Sequence, residues 1–365
     1  MRRRFAIAPS GLWIERALFR GFASALTPGY ALPALRASNL LHCIRRFGRH
    51  DSGMSQQRDN PLSVLAIRER LARLPGGAIR VAAPAKINLD LLVGPRRSDG
   101  YHPLDSLVAK VSLYDEITLT PRDDGQLTLS CGDADCGPGE MNLAYRAAKL
   151  LADEMGKNRD LADGVDIALV KHIPPGKGLG GGSSDAAAVL LAMNELWGLC
   201  WSVGTLAQLA ATLGSDVPIF LGPPAARMTG RGEKLQPLAV HGFAAVLHMP
   251  DFACATADVY RALDSLPGAG RPMARREAID LAAAPPSAWR ASLANDLTAA
   301  AEAVSDQLRQ TLGLLRACAA APVHMTGSGS AMFIICDDVD EAQAVARRLP
   351  PDLPGQTVIV LPNPW

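Results

Sequence analysis

The run Pro174-Pro175-Gly176-Lys177-Gly178-Leu179-Gly180-Gly181-Gly182-Ser183-Ser184-Asp185-Ala186-Ala187-Ala188 is a glycine-rich turn that leads directly into an alanine-rich helix. Glycine lacks a β-carbon, so the backbone can adopt left-handed conformations and approach a ligand closely. The N–H groups that begin the following helix have no intrahelical partner and lie at the positive end of the helix dipole. Together these features predict a binding site for an anion such as a polyphosphate.

Other glycine-rich motifs fit this segment less well. A P-loop needs a glycine four residues before Gly-Lys-Ser/Thr, whereas here Lys177 is followed by Gly178. The dinucleotide pattern G-x-G-x-x-G is formally met, but it requires a second parallel strand after the helix. The sequence instead predicts two successive helices, over residues 184–197 and 203–213. A flexible linker is disfavoured by Leu179 and by the immediate start of the helix.

Length and composition indicate an ordinary globular protein. A chain of 365 residues exceeds a single core, which predicts two domains. The formal net charge of +1 gives no support for a nucleic-acid or a membrane partner. The seven cysteines, an odd number, predict reduced thiols and a cytoplasmic protein. The sequence leaves a monomer or a homodimer open.

The N-terminal fifty residues differ from the rest, with nine arginines and a single acid, Glu15. Such a composition is typical of an organelle transit peptide. The alternative, which we prefer, is an over-extended gene start with the true initiator at Met54. We therefore predict a leader over residues 1–76, disordered or not native, followed by an N-terminal domain over 77–238 that holds the phosphate loop and a C-terminal domain over 239–365.

Strand and helix patterns along the chain predict an α+β fold. Residues 79–82 and 86–93 read as separate extended segments, and in the second Lys86, Asn88 and Asp90 share one face. Helices and strands follow one another without regular βα alternation. In the second half, residues 296–318 read as one long helix.

Three motifs in order resemble those of the GHMP small-molecule kinases (galactokinase, homoserine, mevalonate and phosphomevalonate kinases). The phosphate motif is Pro-x3-Gly-Leu-Gly-Gly-Gly-Ser-Ser-Asp-Ala-Ala, and the other two lie at residues 83–89 and 325–330. The resemblance covers residues 78–362. It implies a two-domain fold, with an N-terminal ribosomal-protein-S5-like domain and a C-terminal ferredoxin-like α/β sandwich, and an active site in the interdomain cleft.

Within this family, residues 85–89, 97–102 and 213–220 resemble members that act on a cytidine diphosphate-linked methylerythritol. The resemblance implies ATP-dependent phosphorylation of its 2-hydroxyl, a step of non-mevalonate isoprenoid precursor synthesis, with Mg²⁺ neutralising phosphate charge. Asp216 is the candidate base, although Asp is also common as a turn or cap residue. Lys86 is its candidate partner, because a lysine that faces inward on an apolar strand is costly unless paired.

The remaining site residues also follow from the resemblance. The ATP phosphates are expected against Pro174, Gly176, Gly178, Leu179, Gly180, Gly181, Gly182, Ser183 and Ser184. A supporting glycine loop is expected from Gly327, Ser328 and Gly329, which alone could form an ordinary turn. Tyr101 and Tyr260 are expected to sandwich the cytosine and His102 to hydrogen-bond it, with Asn88 and Thr256 as further polar contacts to the substrate. We predict no protein residue as a dedicated metal ligand.

Two rival functions remain open at this point. One is another GHMP kinase, acting on homoserine, mevalonate or a sugar, although such kinases have no need of the cytosine contacts expected from Tyr101 and His102. The other is a non-enzymatic metabolite sensor with the same fold. The presence of both Lys86 and Asp216 argues against the sensor.

Overall fold

A computed structural model describes residues 70–132, 139–156, 164–266 and 284–363 of the chain. Most of the predicted leader, residues 1–69, lies outside the described residues. The first sheet nevertheless begins before the predicted boundary at residue 76. Leu71–Arg73 forms strand β1 and pairs antiparallel with residues 79–81 of the next strand.

Two long antiparallel strands, β2 (Ile79–Val93) and β3 (Leu104–Arg122), form the centre of this sheet. The two extended segments predicted over 79–93 are one strand. The register shifts between Pro84 and Ala85, because a proline cannot donate to the ladder and is accommodated at an irregularity. A second shift lies between Asn88 and Asp90, so the two shifts enclose Lys86 and Asn88.

The first sheet is completed by β4 (Leu127–Ser130), β5 (Gly164–Val170), β6 (Ala225–Gly230) and β7 (Lys234–Pro237). Strand β3 is long enough to have two partners on one edge, with β5 beside its C-terminal part and β6 beside its N-terminal part. Strands β6 and β7 form an antiparallel hairpin that the sequence did not predict.

Helices α1 (Leu143–Gly156), α2 (Gly181–Leu196) and α3 (Val203–Ala211) accompany the first sheet. The two successive helices predicted after the glycine loop are confirmed. Helix α2 is buried from Ser184 to Met193, because small and apolar residues occupy nearly all its positions there. It contacts α1 and β2, which places its N-terminus against the polar part of β2.

The second sheet contains β8 (Ala244–Met249), β9 (His324–Met325), β10 (Met332–Cys336) and β11 (Gln356–Val360), in the order β11-β8-β10-β9 with antiparallel pairs. Its helices are α4 (Thr256–Ser265), α5 (Pro286–Trp289), α6 (Thr298–Val304), α7 (Asp306–Cys318) and α8 (Val339–Ala346). The single helix predicted over 296–318 is wrong. The chain is extended at Ser305, whose hydroxyl caps α7 by accepting the Leu308 N–H.

One hydrophobic cluster joins the two sheets. Ile87 of β2 and Val111 of β3 belong to the same buried cluster as Leu247 of β8 and Phe333 of β10. Strand β2 is therefore buried on both faces from Ala83 to Leu92, with α2 on one side and the second sheet on the other. Because burying an unpaired polar group is costly, the buried polar side chains of β2 need hydrogen-bond or ion-pair partners.

The thiol prediction holds only in part. Cys131 is disulfide-bonded, which contradicts the expectation of reduced thiols at that position. Cys254, Cys318 and Cys336 are free thiols. Among the described residues, none of the helices has the length and apolar character needed to cross a membrane.

Candidate active site

The glycine loop predicted to bind phosphate has the expected left-handed backbone. Gly176, Gly178 and Gly180 have φ values of 69°, 76° and 72°. Gly180 is the N-cap residue of α2, and no side chain caps the helix there. The N–H groups of the first helical turn are therefore available to an external acceptor, as an anion site requires.

Close packing explains why this loop needs glycine. A β-carbon at Gly178 would overlap the carbonyl of Thr326. A β-carbon at Gly180 would lie 2.8 Å from a ring carbon of Phe220 and 3.2 Å from the Lys86 side chain. The loop thus packs between a second glycine loop, residues 326–330, on one side and β2 on the other.

The second glycine loop, residues 326–330, contacts the first directly. The Ala331 N–H donates to the Lys177 carbonyl over 3.1 Å, and the Lys177 ammonium donates to the carbonyl of Phe252. Gly327 lies near Gly178, where a β-carbon would come within 3.2 Å of the Gly178 Cα. The predicted supporting residues therefore meet the predicted phosphate loop in space, although the chain separates them widely.

Lys86 and Asp216 also come together. The Lys86 Nζ lies 3.9 Å from Asp216 Oδ2 and 2.5 Å from Asn88 Oδ1. The lysine side chain is buried at 6 % exposure, whereas the aspartate is 40 % exposed. Burial lowers the pKa of Lys86, and the charge of Asp216 partly opposes that shift. The buried ammonium thus leaves one carboxylate oxygen open to a ligand.

Asn88 connects this pair to the second glycine loop. Its backbone N–H donates to the Thr326 hydroxyl over 2.9 Å, and its side-chain amide donates to the Ser106 hydroxyl over 2.8 Å. Asn88 is 2 % exposed, so its amide orientation is fixed by these partners. The Lys86 N–H donates to the Leu179 carbonyl over 2.9 Å, which attaches β2 to the phosphate loop.

Behind the loop, one lysine is shared by two buried carboxylates. The Lys171 ammonium pairs with Asp115 and, over 2.7 Å, with Asp185 of α2. Asp115 also accepts the N–H groups of His172 and Ile173 over 2.6 and 2.8 Å. Burial and then the charge of Asp115 raise the pKa of Asp185 to about 7. This network fixes both ends of the glycine loop to β3.

The residues predicted to bind a cytosine form a group near the start of β3. The rings of His102 and Tyr260 lie 5.4 Å apart, and His102 Nε2 is 3.2 Å from Asp264 Oδ1. The other ring nitrogen, Nδ1, is 2.8 Å from the Gly94 carbonyl. Tyr101 is 51 % exposed, as a stacking platform must be. Burial, and then the charge of Asp216, raises the pKa of Tyr260 to about 12.

Not every predicted residue is equally accessible. The Ser184 hydroxyl is buried and has no hydrogen-bond partner within the described chain. Thr256 reaches the second glycine loop through a 2.8 Å contact between its hydroxyl and that of Ser328. The sequence reasoning missed residues that position the others: Asp115, Lys171, Asp264 and Thr326. Of these only Thr326 belonged to a recognised motif, because the rest become neighbours through folding alone.

Comparison with known proteins gives consistent matches. The GHMP kinases N terminal domain matches residues 142–222, and the GHMP kinases C terminal domain matches residues 280–353. The 4-diphosphocytidyl-2-C-methyl-D-erythritol kinase of Streptomyces avermitilis is 40 % identical over 293 residues, covering 79 % of this chain and 97 % of the relative. The kinase of the same name from Mycobacterium tuberculosis is 39 % identical over 282 residues, covering 76 % of this chain and 87 % of the relative.

Solved structures of two kinases also match the chain, at different levels of identity. A crystal structure of 4-(cytidine 5'-diphospho)-2C-methyl-D-erythritol kinase matches with a TM-score of 0.64 at 38 % identity, over 78 % of this chain and 99 % of that one. The homoserine kinase from Cytophaga hutchinsonii matches with a TM-score of 0.56 at 16 % identity, over 86 % of this chain and 97 % of that one. The second likeness concerns the fold alone.

Proposed function

The chain belongs to the GHMP kinases and, within them, to the 4-diphosphocytidyl-2-C-methyl-D-erythritol kinases, and from this we propose that it transfers the γ-phosphoryl group of ATP to the 2-hydroxyl of that substrate. A relative with this name is 40 % identical to the chain, and the match covers 97 % of that relative's length. The reaction supplies a precursor of isoprenoids by the non-mevalonate route.

The single observation that carries the chemistry is the 3.9 Å approach of Lys86 and Asp216 beside the glycine loop. We assign the exposed Asp216 carboxylate as the general base, which accepts the proton of the acceptor hydroxyl. The hydroxyl oxygen then forms a bond to the γ-phosphorus while the bond to the β–γ bridging oxygen breaks, and ADP leaves. The Lys86 ammonium keeps the carboxylate oriented and offers positive charge to the transferring group.

The glycine loop supports the assignment of the ATP site. Its left-handed glycines and the uncapped start of α2 offer backbone N–H groups to the triphosphate. The described residues contain no group of three His, Cys, Asp or Glu side chains that could hold a metal ion. Mg²⁺ would bind together with the triphosphate and neutralise phosphate charge, and the Ser184 hydroxyl, which has no hydrogen-bond partner among the described residues, is a candidate protein ligand.

Substrate recognition is assigned to the residues around the start of β3. Tyr101 and Tyr260 would stack on the cytosine, and His102 would hydrogen-bond it. Asn88 and Thr256 each hydrogen-bond to the second glycine loop, through Thr326 and Ser328, and they would contact the rest of the substrate. The proposed site thus combines a position for the cytosine with a position for phosphoryl transfer.

The rival functions are less well supported. Homoserine and mevalonate kinases share the fold at 17 % identity or less, whereas the cytidyl-linked kinase matches at 38 %. A cytoplasmic location is part of the proposal, because both substrates are strongly charged and do not enter a bilayer unaided. The expectation of a monomer or homodimer without nucleic-acid or membrane partners stays a prediction.

The experiment that tests the function is a kinase assay with Mg²⁺–ATP against a panel of acceptors. The panel holds the cytidyl-diphosphate-linked methylerythritol, mevalonate, homoserine and galactose. We expect ADP release only with the first acceptor, and phosphorus NMR should locate the new phosphate on the 2-hydroxyl. Turnover of another acceptor instead, or binding without turnover of any, would contradict the proposal.

A further inference from the structure

The β6–β7 turn brings Arg231 to the base site. In the sheet register Gly230, the last residue of β6, pairs with Leu104, the first residue of β3. Arg231 follows Gly230 directly, so it lies beside the chain segment that carries Tyr101 and His102. Its guanidinium carbon lies 3.4 Å from the centre of the Tyr101 ring, which is a close cation–π contact.

The same turn also packs against the loop that carries Asp216. Gly232 has a φ of 114°, and a β-carbon there would lie 3.5 Å from the carbonyl oxygen of Ser215, the residue before Asp216. The Glu233 carboxylate accepts the Arg231 backbone N–H over 2.6 Å, which fixes the turn. Arg231 is therefore held between the proposed base platform and the proposed general base.

Charge pairing distinguishes Arg231 from the other cations nearby. Arg96 lies 3.5 Å from Asp264, Arg97 lies 3.0 Å from Asp99, and Lys86 faces Asp216. Arg231 is exposed and, within the part of the chain that the structure describes, forms no ion pair. Because a guanidinium is planar, one stacked on an aromatic ring keeps its in-plane N–H groups free to donate to a phosphate.

We propose that Arg231 is a substrate-binding residue whose guanidinium pairs with the diphosphate that joins the cytidine to the methylerythritol. The inference rests on the proposed function. If the cytosine stacks on Tyr101 and the acceptor hydroxyl lies at Asp216, the diphosphate must span the distance between them. The β6–β7 turn places the cation along that path.

The test compares two ligands that differ only in the diphosphate. Calorimetric titration of the full chain with cytidine and with cytidine 5'-diphosphate gives the affinity ratio between them. We expect the wild-type protein to prefer the diphosphate and Arg231→Gln to lose about tenfold or more of that preference, while cytidine affinity changes less. In turnover, Arg231→Gln should raise KM for the cytidyl substrate while kcat and KM for ATP stay within about twofold.

Two variants make the result specific. Arg231→Lys keeps the charge without the planar fork and should recover only part of the diphosphate preference. Lys234→Ala removes an exposed positive charge from the same hairpin and should leave the preference unchanged. An Arg231→Gln protein that retains the wild-type ratio, or loses cytidine and its diphosphate equally, overturns the assignment. A wild-type protein that binds neither ligand overturns the proposed function as well.

Discussion

The ammonium of Lys86 lies 3.9 Å from the carboxylate of Asp216, and the two belong to different elements of the first domain. Lys86 is on the central strand β2, whereas Asp216 is on the loop after α3. The contact is asymmetric, because the lysine side chain is buried whereas the aspartate side chain is 40 % exposed. A carboxylate that is partly open to solvent suits the removal of a proton from a hydroxyl group.

Replacing Asp216 by Asn should lower kcat by about a hundredfold or more, because the general base is lost while the shape is kept. Steady-state kinetics with the cytidyl substrate measure the effect, and KM for ATP should change little. Asp153→Asn is the matched control, since Asp153 is exposed on α1 and pairs with Lys149 at the surface. A folded Asp216→Asn protein with near-wild-type turnover would remove Asp216 from the mechanism.

Replacing Gly178 by Ala should weaken ATP binding by at least tenfold. Its backbone is left-handed, and the added β-carbon would overlap the Thr326 carbonyl, so the loop must shift. Nucleotide titration measures the loss. Gly313→Ala is the control, because Gly313 lies in α7 with no heavy atom near its β-carbon position. That control should keep ATP affinity and gain about 1 kcal/mol of stability; unchanged ATP affinity in Gly178→Ala would contradict the packing argument.

Asp185 should make stability depend on pH. Burial and the charge of Asp115 raise its pKa in the folded protein from 3.8 to about 7. The folded state therefore binds more protons than the unfolded chain between about pH 4 and pH 7, and stability falls as pH rises through that window. Asp185→Asn removes the buried negative charge that causes this loss.

Urea denaturation at pH 5 and pH 8 measures the effect. We expect Asp185→Asn to reduce the loss of stability between these pH values by ~2 kcal/mol relative to wild type. Asp153→Asn, on the surface of α1, should reproduce the wild-type dependence. If the wild-type protein becomes more stable between pH 5 and pH 8, the expectation is contradicted. If Asp185→Asn shows the same pH dependence of stability as the wild type, Asp185 is ionised over this whole range.

Replacing His102 by Ala should weaken binding of the cytidyl substrate by about tenfold, because it removes the imidazole that contacts the Tyr260 ring and pairs with Asp264 at the proposed base site. Affinity for ATP should stay unchanged, because the glycine loop does not contact this residue. Separate titrations with cytidine and with an ATP analogue measure the two effects. Equal loss of both ligands would point to misfolding.

Two N-terminal deletions should separate the leader from the fold. Removal of residues 2–53 is expected to leave activity unchanged. Removal of residues 2–73 should destabilise the protein, because it deletes strand β1 and the buried Arg70, whose guanidinium donates to the Phe220 carbonyl over 2.9 Å. Thermal denaturation and turnover measure both. Loss of activity in the shorter deletion would show that the leader supports the active enzyme.

The sequence by itself determined the phosphate loop, since left-handed glycines before an alanine-rich helix are a local property of consecutive residues. It also determined the α+β class and the two helices after the loop. It did not determine the hairpin of β6 and β7, whose pairing with β3 depends on residues far apart in the chain.

Apart from the expected pair of Lys86 and Asp216, only the tertiary structure decided which charges meet. Asp115, Lys171 and Asp185 come from a strand, a loop and a helix, and no spacing in the sequence relates them. The same holds for Arg231 and Tyr101. A local pattern determines backbone conformation because its interactions are between neighbours in the sequence. Side-chain charge pairs instead depend on how distant elements pack, and that packing is a property of the whole folded chain.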